Sequence, residues 1–261
     1  MANIALLGCG RLGEVIAGAL HDGKVPGCRL VGVMGRGMNR ANRLAEAYGC
    51  RACQSAAELL ELKPDYLIEA ATAQALTDCA VDFLSAGCSV ICLSIGAFAD
   101  EAFYSRAAQT AQKNHAQVYL APGVIGGFDI ASTLSMMGKL NGTIVKYKYP
   151  NDSGCCPPAL TELPDAFDGS AREGFLLSPA HLNIAVAAAL ACGSLDETRM
   201  RVEPIREADR PSFELDLDGE FASANIRVRQ GGFGGNPRGP LLAAWSTVAL
   251  LRRLTSPITF A

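Results

Sequence analysis

The sequence predicts an α/β protein with a doubly wound parallel sheet and a second, smaller α+β domain. Three observations lead to this prediction. A glycine-rich turn joins an apolar run to a helix-length segment near the start of the chain. Short apolar runs then alternate with helical patterns through the first half, which is typical of parallel strands joined by right-handed crossovers. After Pro122 the apolar and polar residues alternate with period two, as in half-exposed antiparallel strands.

The glycine-rich turn has the pattern GxGxxG and follows the apolar run of residues 4–7. Free backbone N–H groups at a helix start favour an anion, which makes this a candidate phosphate site. In the Rossmann-type interpretation, Gly8 permits the turn, Gly10 lets the backbone approach a pyrophosphate, and Gly13 lets the helix pack on the strand. A glycine turn without a ligand is the alternative. Cofactor contacts are expected from Gly8, Gly10, Arg11, Leu12 and Gly13.

The end of the second predicted strand, residues 28–34, indicates which dinucleotide fits. An NAD site places an acidic side chain about 20 residues beyond the last motif glycine, where it binds the ribose hydroxyl. This chain has Gly35 there, followed by Arg36, with Arg40 as a second cation. A guanidinium suits a phosphate, so the sequence favours NADP, with NAD as the other possibility. The alternative is that Arg36 stacks on adenine or lies in solvent.

The rest of the first half continues the alternation of strands and helices. Ser55 and Glu58 have the spacing of a capping box that opens a helix. Ligands of parallel sheets gather at the carboxyl ends of the strands, so Ala71 is a further candidate cofactor contact. The predicted elements are a helix to residue 62, a strand at 66–71, helices at 73–85 and 100–114, and strands at 89–94 and 118–120.

Two domains are expected from this change of pattern. Residues 1–122 are assigned to dinucleotide binding and residues 123–239 to substrate binding and oligomerisation. The period-two runs at 143–149 and 213–217 predict strands, and Asp218-Gly219 predicts a hairpin turn. The last helical pattern, within 240–261, is expected to pack back on the first domain.

Composition excludes several classes of function. The chain has 261 residues, a net charge of −3 and dispersed basic residues, which argues against a nucleic-acid partner. No apolar run reaches the ~20 residues of a membrane span, and the N-terminus lacks a signal-peptide pattern. The ten cysteines are scattered and three histidines complete no ligand set, so no metal is expected. These features predict a cytoplasmic protein that acts on a small molecule.

Two polar residues near the predicted helix start at Ser178-Pro179 are candidate site residues. Asn183 stands in an apolar helix, and a buried amide needs partners, so a cofactor or substrate contact is favoured. His181 is the candidate catalytic base, although a surface histidine is the other interpretation. The glycines of residues 123–129 predict either an anion-binding turn or a hinge between domains.

These motifs taken together resemble the L-aspartate dehydrogenase family over essentially the whole chain. The resemblance implies a Rossmann domain with a smaller α/β domain, association as a homodimer or other homo-oligomer, and oxidation of aspartate with NAD or NADP. It also implies that Val124 and Asn183 contact the nicotinamide end, and that Asn236 and Arg238 lie near the substrate. The matching stretches are residues 8–13, 94–100, 123–129, 179–185, 218–221 and 236–238.

The chain also departs from the family pattern at two places. The family's catalytic histidine lies in a segment Arg-Asn-x-His-Glu, which here reads Arg210-Pro211-Ser212-Phe213-Glu214. Phe213 cannot move a proton, so it is interpreted as a wall of the substrate pocket. The family's Asn-Pro-Lys-Thr-Ser becomes residues 236–240 without either hydroxyl, which indicates an altered, bulkier substrate.

Three functions remain open from the sequence. The leading one is a dehydrogenase acting on the CH–NH2 group of an amino acid, or the same chemistry run as a reductase of an imine or keto compound. The second is a catalytically silent paralogue or sensor that binds NADP. The third keeps aspartate as substrate, with Asp209 or ordered water as the base.

Overall fold

A computed structural model describes residues 1–150, 164–179, 182–206, 210–229 and 241–259 of the chain. These residues belong to two compact units. The first comprises Met1–Gly123 and Pro240–Ala261, and the second comprises Val124–Gly239.

The first unit is built on a parallel sheet of six strands. The strand order is β3-β2-β1-β4-β5-β6, in which the chain starts at the centre and winds outward in both directions. This confirms the predicted doubly wound parallel sheet. The strands are β1 (Ala2–Leu7), β2 (Cys28–Met34), β3 (Arg51–Cys53), β4 (Tyr66–Glu69), β5 (Ser89–Cys92) and β6 (Val118–Leu120).

Helices connect these strands, and their ends follow local capping chemistry. The side chains of Ser55, Thr72 and Asp100 each accept a hydrogen bond from a backbone N–H of the helix that follows. Glu58 does not close the predicted capping box on Ser55, because its carboxylate accepts from the Gln54 N–H at 3.0 Å. The helices are α1 (Arg11–His21), α2 (Met38–Tyr48), α3 (Ala56–Leu60), α4 (Ala73–Ser85) and α5 (Glu101–Lys113), with a 3-10 helix at Ile95–Ala99.

The second unit contains a mixed sheet of five strands in the order β11-β10-β7-β9-β8. The β7, β10 and β11 strands are antiparallel neighbours, as their period-two sequence pattern predicts. The strands are β7 (Leu140–Lys148), β8 (Phe167–Ser170), β9 (Arg199–Pro204), β10 (Ser212–Gly219) and β11 (Ser223–Arg229). The helices are α6 (Phe128–Met137), α7 (Ala171–Leu177) and α8 (Asn183–Cys192).

In the second unit the predicted helix start at Ser178 is wrong, whereas the predicted hairpin is present with its reversal slightly further along the chain. Ser178 ends α7 instead of starting α8, because its N–H donates to the carbonyls of Gly174 and Phe175 and completes the last turn. The α8 helix begins at Asn183. The hairpin reverses at residues 220–222, because Asp218 still pairs with Ser223 and Gly219 donates to the Ala222 carbonyl.

A last helix, α9 (Leu241–Thr255), packs in the core of the first unit. Its buried face presents Ala244, Val248 and Leu251 to the same cluster as Ile16 of α1 and the strands β1, β2 and β4. The chain therefore leaves the first unit after Gly123 and returns to it with α9. No helix within the described residues is both long and apolar enough to span a bilayer.

The packing of α9 can be tested with two leucines on that helix. We expect Leu251→Ala to lower the free energy of unfolding by about 2–5 kcal/mol, because Leu251 is 1% exposed and its loss leaves a cavity. Leu242→Ala is the matched control, since Leu242 is 46% exposed and its loss should cost less than about 0.5 kcal/mol. Urea denaturation followed by the fluorescence of the single tryptophan, Trp245 on α9, measures both. Equal losses in the two variants would contradict this packing.

Candidate functional site

The glycine turn after β1 is shaped by close backbone contacts. Gly8 has a φ of +119°, and its N–H donates to the Met34 carbonyl at 2.7 Å. A side chain at Gly8 would collide with the carbonyl of Ala70, and one at Gly13 would collide with the carbonyl of Gly8. Both glycines are therefore required by the packing of the turn itself.

Gly10 differs from these two glycines because space is open around it. A Cβ atom added to Gly10 would have no other heavy atom within 4 Å. Gly10 is also the N-cap of α1 and, without a side chain, leaves the first-turn N–H groups to another acceptor. Arg11 is exposed and Leu12 is half-buried against the core of the unit. An open glycine at a helix N-terminus fits a pyrophosphate, so these residues fit the predicted dinucleotide.

The end of β2 lies beside this turn. A Cβ atom at Gly35 would lie 3.0 Å from Sγ and 3.1 Å from Cβ of Cys9, so a larger residue at position 35 would be crowded. Arg36 and Arg40 are both exposed, and α2 begins between them at Met38. The structure thus places exposed cations, and no carboxylate, directly after β2.

Neighbouring cysteine thiols are poor nucleophiles. Burial raises the pKa of Cys9, and it raises the pKa of Cys50 to about 11. These thiols are therefore neutral near pH 7. Among the described residues, no group of three or more histidine, cysteine or acidic side chains is arranged to hold a metal ion.

A buried carboxylate, which the motifs in the sequence do not indicate, lies at the ends of β4 and β5. Glu69 is 0% exposed, and its two oxygens accept hydrogen bonds from Ala71 N, Leu93 N, Ser94 N and Ser94 Oγ. Burial raises the pKa of Glu69, and these hydrogen bonds oppose that shift. The signal that could have found it is a single acidic residue at the end of an otherwise apolar strand pattern.

The same contact limits what Ala71, a predicted cofactor contact, offers to a ligand. Its backbone N–H donates to Glu69 Oε1 at 2.7 Å. Ala71 is exposed, so its carbonyl and methyl group are the parts left for a ligand. A carbonyl oxygen suits a hydroxyl donor better than a phosphate.

In the second unit, Val124 and Asn183 lie on segments that flank helix starts. Val124 is half-buried against the core of this unit, four residues before α6. Gly127, the N-cap of α6, has a φ of +86°, and a Cβ atom there would lie 2.8 Å from Ile226 Cδ1. Backbone geometry therefore accounts for that glycine. Asn183 is half-buried at the first position of α8, where the sequence pattern predicts a fully buried amide.

Phe213, the residue at the position of the family histidine, lies on β10. Phe213 is 9% exposed and belongs to the core of the second unit. The residue directly opposite on β7 is Lys146, whose Nζ lies 5.8 Å from the ring centroid. The ring therefore packs against the core on one side and meets a cation on another. His181, Asn236, Arg238 and Asp209 lie outside the described residues.

The next residue on β10, Glu214, points to the other face of the sheet and joins a cluster of polar side chains. Glu214 accepts a hydrogen bond from Asn225 at 2.8 Å and forms an ion pair with Arg227 at 3.4 Å. Arg227 also lies over the ring of Tyr147, 4.4 Å from its centroid. Burial and the nearby Glu214 raise the pKa of Tyr147. Phe213 and Glu214 are thus adjacent in sequence but lie on opposite faces of the sheet.

The first unit defines the class of the protein. Its strand order and its glycine turn after the central strand are those of a Rossmann-type dinucleotide-binding domain, and the class is the NAD(P)-dependent oxidoreductases. Residues 8–121 match the family described as homoserine dehydrogenase, NAD binding domain. Residues 130–254 match the family described as aspartate dehydrogenase, C-terminal. Together with the relatives below, these matches support the L-aspartate dehydrogenase family, as the resemblance in the sequence predicted.

Two L-aspartate dehydrogenases and one solved structure are similar to this chain over nearly its full length. The chain is 26% identical to the L-aspartate dehydrogenase of Methanocaldococcus jannaschii, across 99% of this chain and 98% of that protein. It is 28% identical to the L-aspartate dehydrogenase of Methanothermobacter thermautotrophicus, across 98% and 96%. The crystal structure of aspartate dehydrogenase from Thermotoga maritima has the same fold, with a TM-score of 0.77, 19% identity and complete coverage of both chains.

The two kinds of glycine in the turn make separate predictions. We expect Gly10→Ala to leave the free energy of unfolding unchanged and to raise the Kd for NADPH about tenfold or more, because the added methyl occupies the open approach to the turn. Gly13→Ala should instead destabilise the fold by about 1–3 kcal/mol, because its methyl meets the Gly8 carbonyl. Calorimetric titration and thermal unfolding separate the two effects. Tight NADPH binding by Gly10→Ala would rule out a pyrophosphate at this turn.

Proposed function

We propose that this protein transfers hydride between NADP and the α-carbon of an amino acid or its imino acid, with aspartate or a bulkier analogue as substrate. The observation that carries the proposal is the family match in both units combined with the open glycine cradle after β1. The first unit would bind the dinucleotide, and the second would bind the substrate and a second copy of the chain in a homodimer.

The preference for NADP is supported by the end of β2. Gly35 provides no carboxylate to repel a 2′-phosphate, and the crowding by Cys9 leaves little room for one. The exposed guanidinium of Arg36 would bind the phosphate, since its fork matches phosphate oxygens. The N–H groups at the start of α1, next to Gly10, would bind the pyrophosphate.

The roles of Val124, Asn183, Asn236 and Arg238 are assigned by resemblance, and those of Phe213 and His181 follow from the loss of the family histidine. Hydride transfer is the chemistry that the nicotinamide supplies when bound, so the protein's task is to orient the substrate and move a proton. Val124 and Asn183 would orient the nicotinamide end. Phe213, Asn236 and Arg238 would shape the substrate pocket, with Arg238 available to a carboxylate. His181 would exchange the proton with the amino group or the attacking water.

Phe213 also favours a second candidate, a dinucleotide-binding protein without turnover. The position of the family histidine is filled by a ring that packs in the core of its unit and cannot carry a proton. Catalysis is retained in two further hypotheses, which are reduction of an imine or keto compound and aspartate oxidation with Asp209 or water as the base. These two differ from the leading proposal in the direction of the reaction and in the identity of the base.

Cofactor preference is tested by removing the arginine after β2. We expect Arg36→Ala to raise the Kd for NADPH by about tenfold, the effect of losing a charged hydrogen bond, and to leave the Kd for NADH within about twofold. Arg43→Ala on α2, an exposed arginine further from the end of β2, is the control and should bind both as the wild type does. If the wild type binds NADH as tightly as NADPH, the proposed preference is wrong.

The reaction is tested by steady-state assays in both directions. We expect turnover of NADPH with oxaloacetate plus ammonia or with a bulkier 2-keto acid plus ammonia, and turnover of NADP with the matching amino acid. His181→Ala should lower kcat about 10²- to 10⁴-fold and remove one ionisation from the rate profile, while NADPH affinity is unchanged.

His21→Ala is the control for a histidine outside the proposed site, since His21 ends α1 and contacts the Tyr48 ring. An unchanged rate and pH profile in His181→Ala would remove His181 as the base. Tight NADPH binding without turnover of any amino acid, keto acid or imine would favour the silent paralogue.

A further inference from the structure

We propose that Glu69 is a positioning residue of the dinucleotide site, where its carboxylate holds the loops after β4 and β5 at the carboxyl edge of the sheet. This inference rests on the proposed dinucleotide binding by the first unit. Glu69 is the last residue of β4 and is 0% exposed.

The carboxylate is surrounded by donors from both loops. Oε1 accepts from Ala71 N at 2.7 Å and from Ser94 Oγ at 2.8 Å. Oε2 accepts from Ser94 N at 2.9 Å and from Leu93 N at 3.2 Å. The donors at residues 71, 93 and 94 all lie beyond the last paired residues of β4 and β5. The bonds from Ala71 and Ser94 therefore fix loop residues, whereas the Leu93 N–H is shared with the Glu69 backbone carbonyl at 3.2 Å and extends the ladder by one bond.

Stability of the fold alone does not explain why a carboxylate is buried at position 69. Burying a carboxylate is costly, and apolar residues such as Ile68 and Ile91 fill the interior of the same strands. Among the described residues, no lysine, arginine or histidine forms an ion pair with Glu69, so backbone and hydroxyl dipoles alone stabilise it. The best explanation for this costly buried carboxylate is that its two oxygens accept four hydrogen bonds and so maintain the geometry of both loops.

The loop after β4 touches the glycine turn, and the loop after β5 leads into the 3-10 helix. Ala70, next to Glu69, touches Gly8 so closely that a side chain at Gly8 would collide with its carbonyl. Ser94 is the N-cap of the 3-10 helix at Ile95–Ala99; its side chain makes no cap hydrogen bond, and its hydroxyl donates to Glu69. One carboxylate thus ties the loop that touches the proposed pyrophosphate turn to the loop that starts the 3-10 helix.

Glu69→Gln tests this role with little change in shape. An amide has one acceptor oxygen and one donor NH2, so in either orientation its NH2 faces at least one backbone N–H that Glu69 now accepts. We expect the Kd for NADPH and the Kd for NADH to rise together by about tenfold, or ~1.4 kcal/mol, without a change in their ratio. Hydrogen exchange of the Ala71 and Ser94 amides should accelerate, while that of Leu93, which also bonds the Glu69 backbone carbonyl, should change less.

Asp65→Asn is the matched control. Asp65 precedes β4 at the opposite edge of the same sheet, and its carboxylate accepts from Asn3 N at 2.7 Å. The variant makes the same change of charge and weakens a similar bond to a backbone N–H. We expect it to lower the melting temperature while leaving the Kd for both dinucleotides within about twofold of the wild type.

Ser94→Ala keeps the test decisive if Glu69→Gln does not fold. It removes one of the four donors, and the expected rise in Kd is about threefold for both dinucleotides. If folded Glu69→Gln or Ser94→Ala binds both dinucleotides as tightly as Asp65→Asn does, the positioning role is overturned. The same holds if Asp65→Asn loses as much dinucleotide affinity as they do. Neither outcome affects the proposed function. Failure of the wild type to bind NADPH or NADH would instead overturn the proposed function and this inference with it.

Discussion

The candidate site of the first unit depends on one constraint: the neighbouring parallel strands β1, β4 and β5 end at the same position along the sheet. The register pairs Leu7 of β1 with Glu69 of β4, and Glu69 with Cys92 of β5. The loops that follow these strands therefore start at the same height on one edge of the sheet. Parallel strands place all their carboxyl ends together, which is why ligands of such sheets bind there.

Close backbone packing then fixes the loops at this edge relative to one another. The glycine turn lies against the loop after β4, and that loop is tied to the one after β5 through the Glu69 carboxylate. Gly8 and Gly13 allow the chain to pack without side chains, while Gly10 leaves space open at the start of α1. Gly8 and Gly13 thus allow close packing within the protein, while Gly10 leaves the turn accessible to a ligand.

The second unit shows how one substitution can change the chemistry available to a fold. Phe213 faces the core and Lys146, while the adjacent Glu214 joins Tyr147 and Arg227 on the other face of the sheet. The alternation of a strand keeps these two environments apart. An ionisable group at position 213 would face the apolar core side, and a phenylalanine suits that side better than a histidine does. A proton carrier for the proposed reaction must therefore be another residue or water.

Much of the first unit could be predicted from local sequence, because its signals are local. The GxGxxG turn, the apolar strand runs and the caps at Ser55, Thr72 and Asp100 each depend on residues within a few positions of one another. The resemblance of the motifs to one family also holds over both units. The helix start predicted at Ser178 is wrong, because a serine before a proline also fits the end of the preceding helix.

Features that join distant residues were decided by the tertiary structure. The four donors around Glu69 come from two loops separated by more than twenty residues, and local sequence shows only an acidic residue in an apolar run. The crowding of Gly35 by Cys9 and the burial of α9 beside α1 likewise depend on packing between segments far apart in the chain. The sequence by itself indicated most elements of the first unit and a nicotinamide dinucleotide as cofactor, since periodicity and turn chemistry are short-range. Only the fold decided which polar groups meet at the carboxyl edge, because that depends on strand order and register.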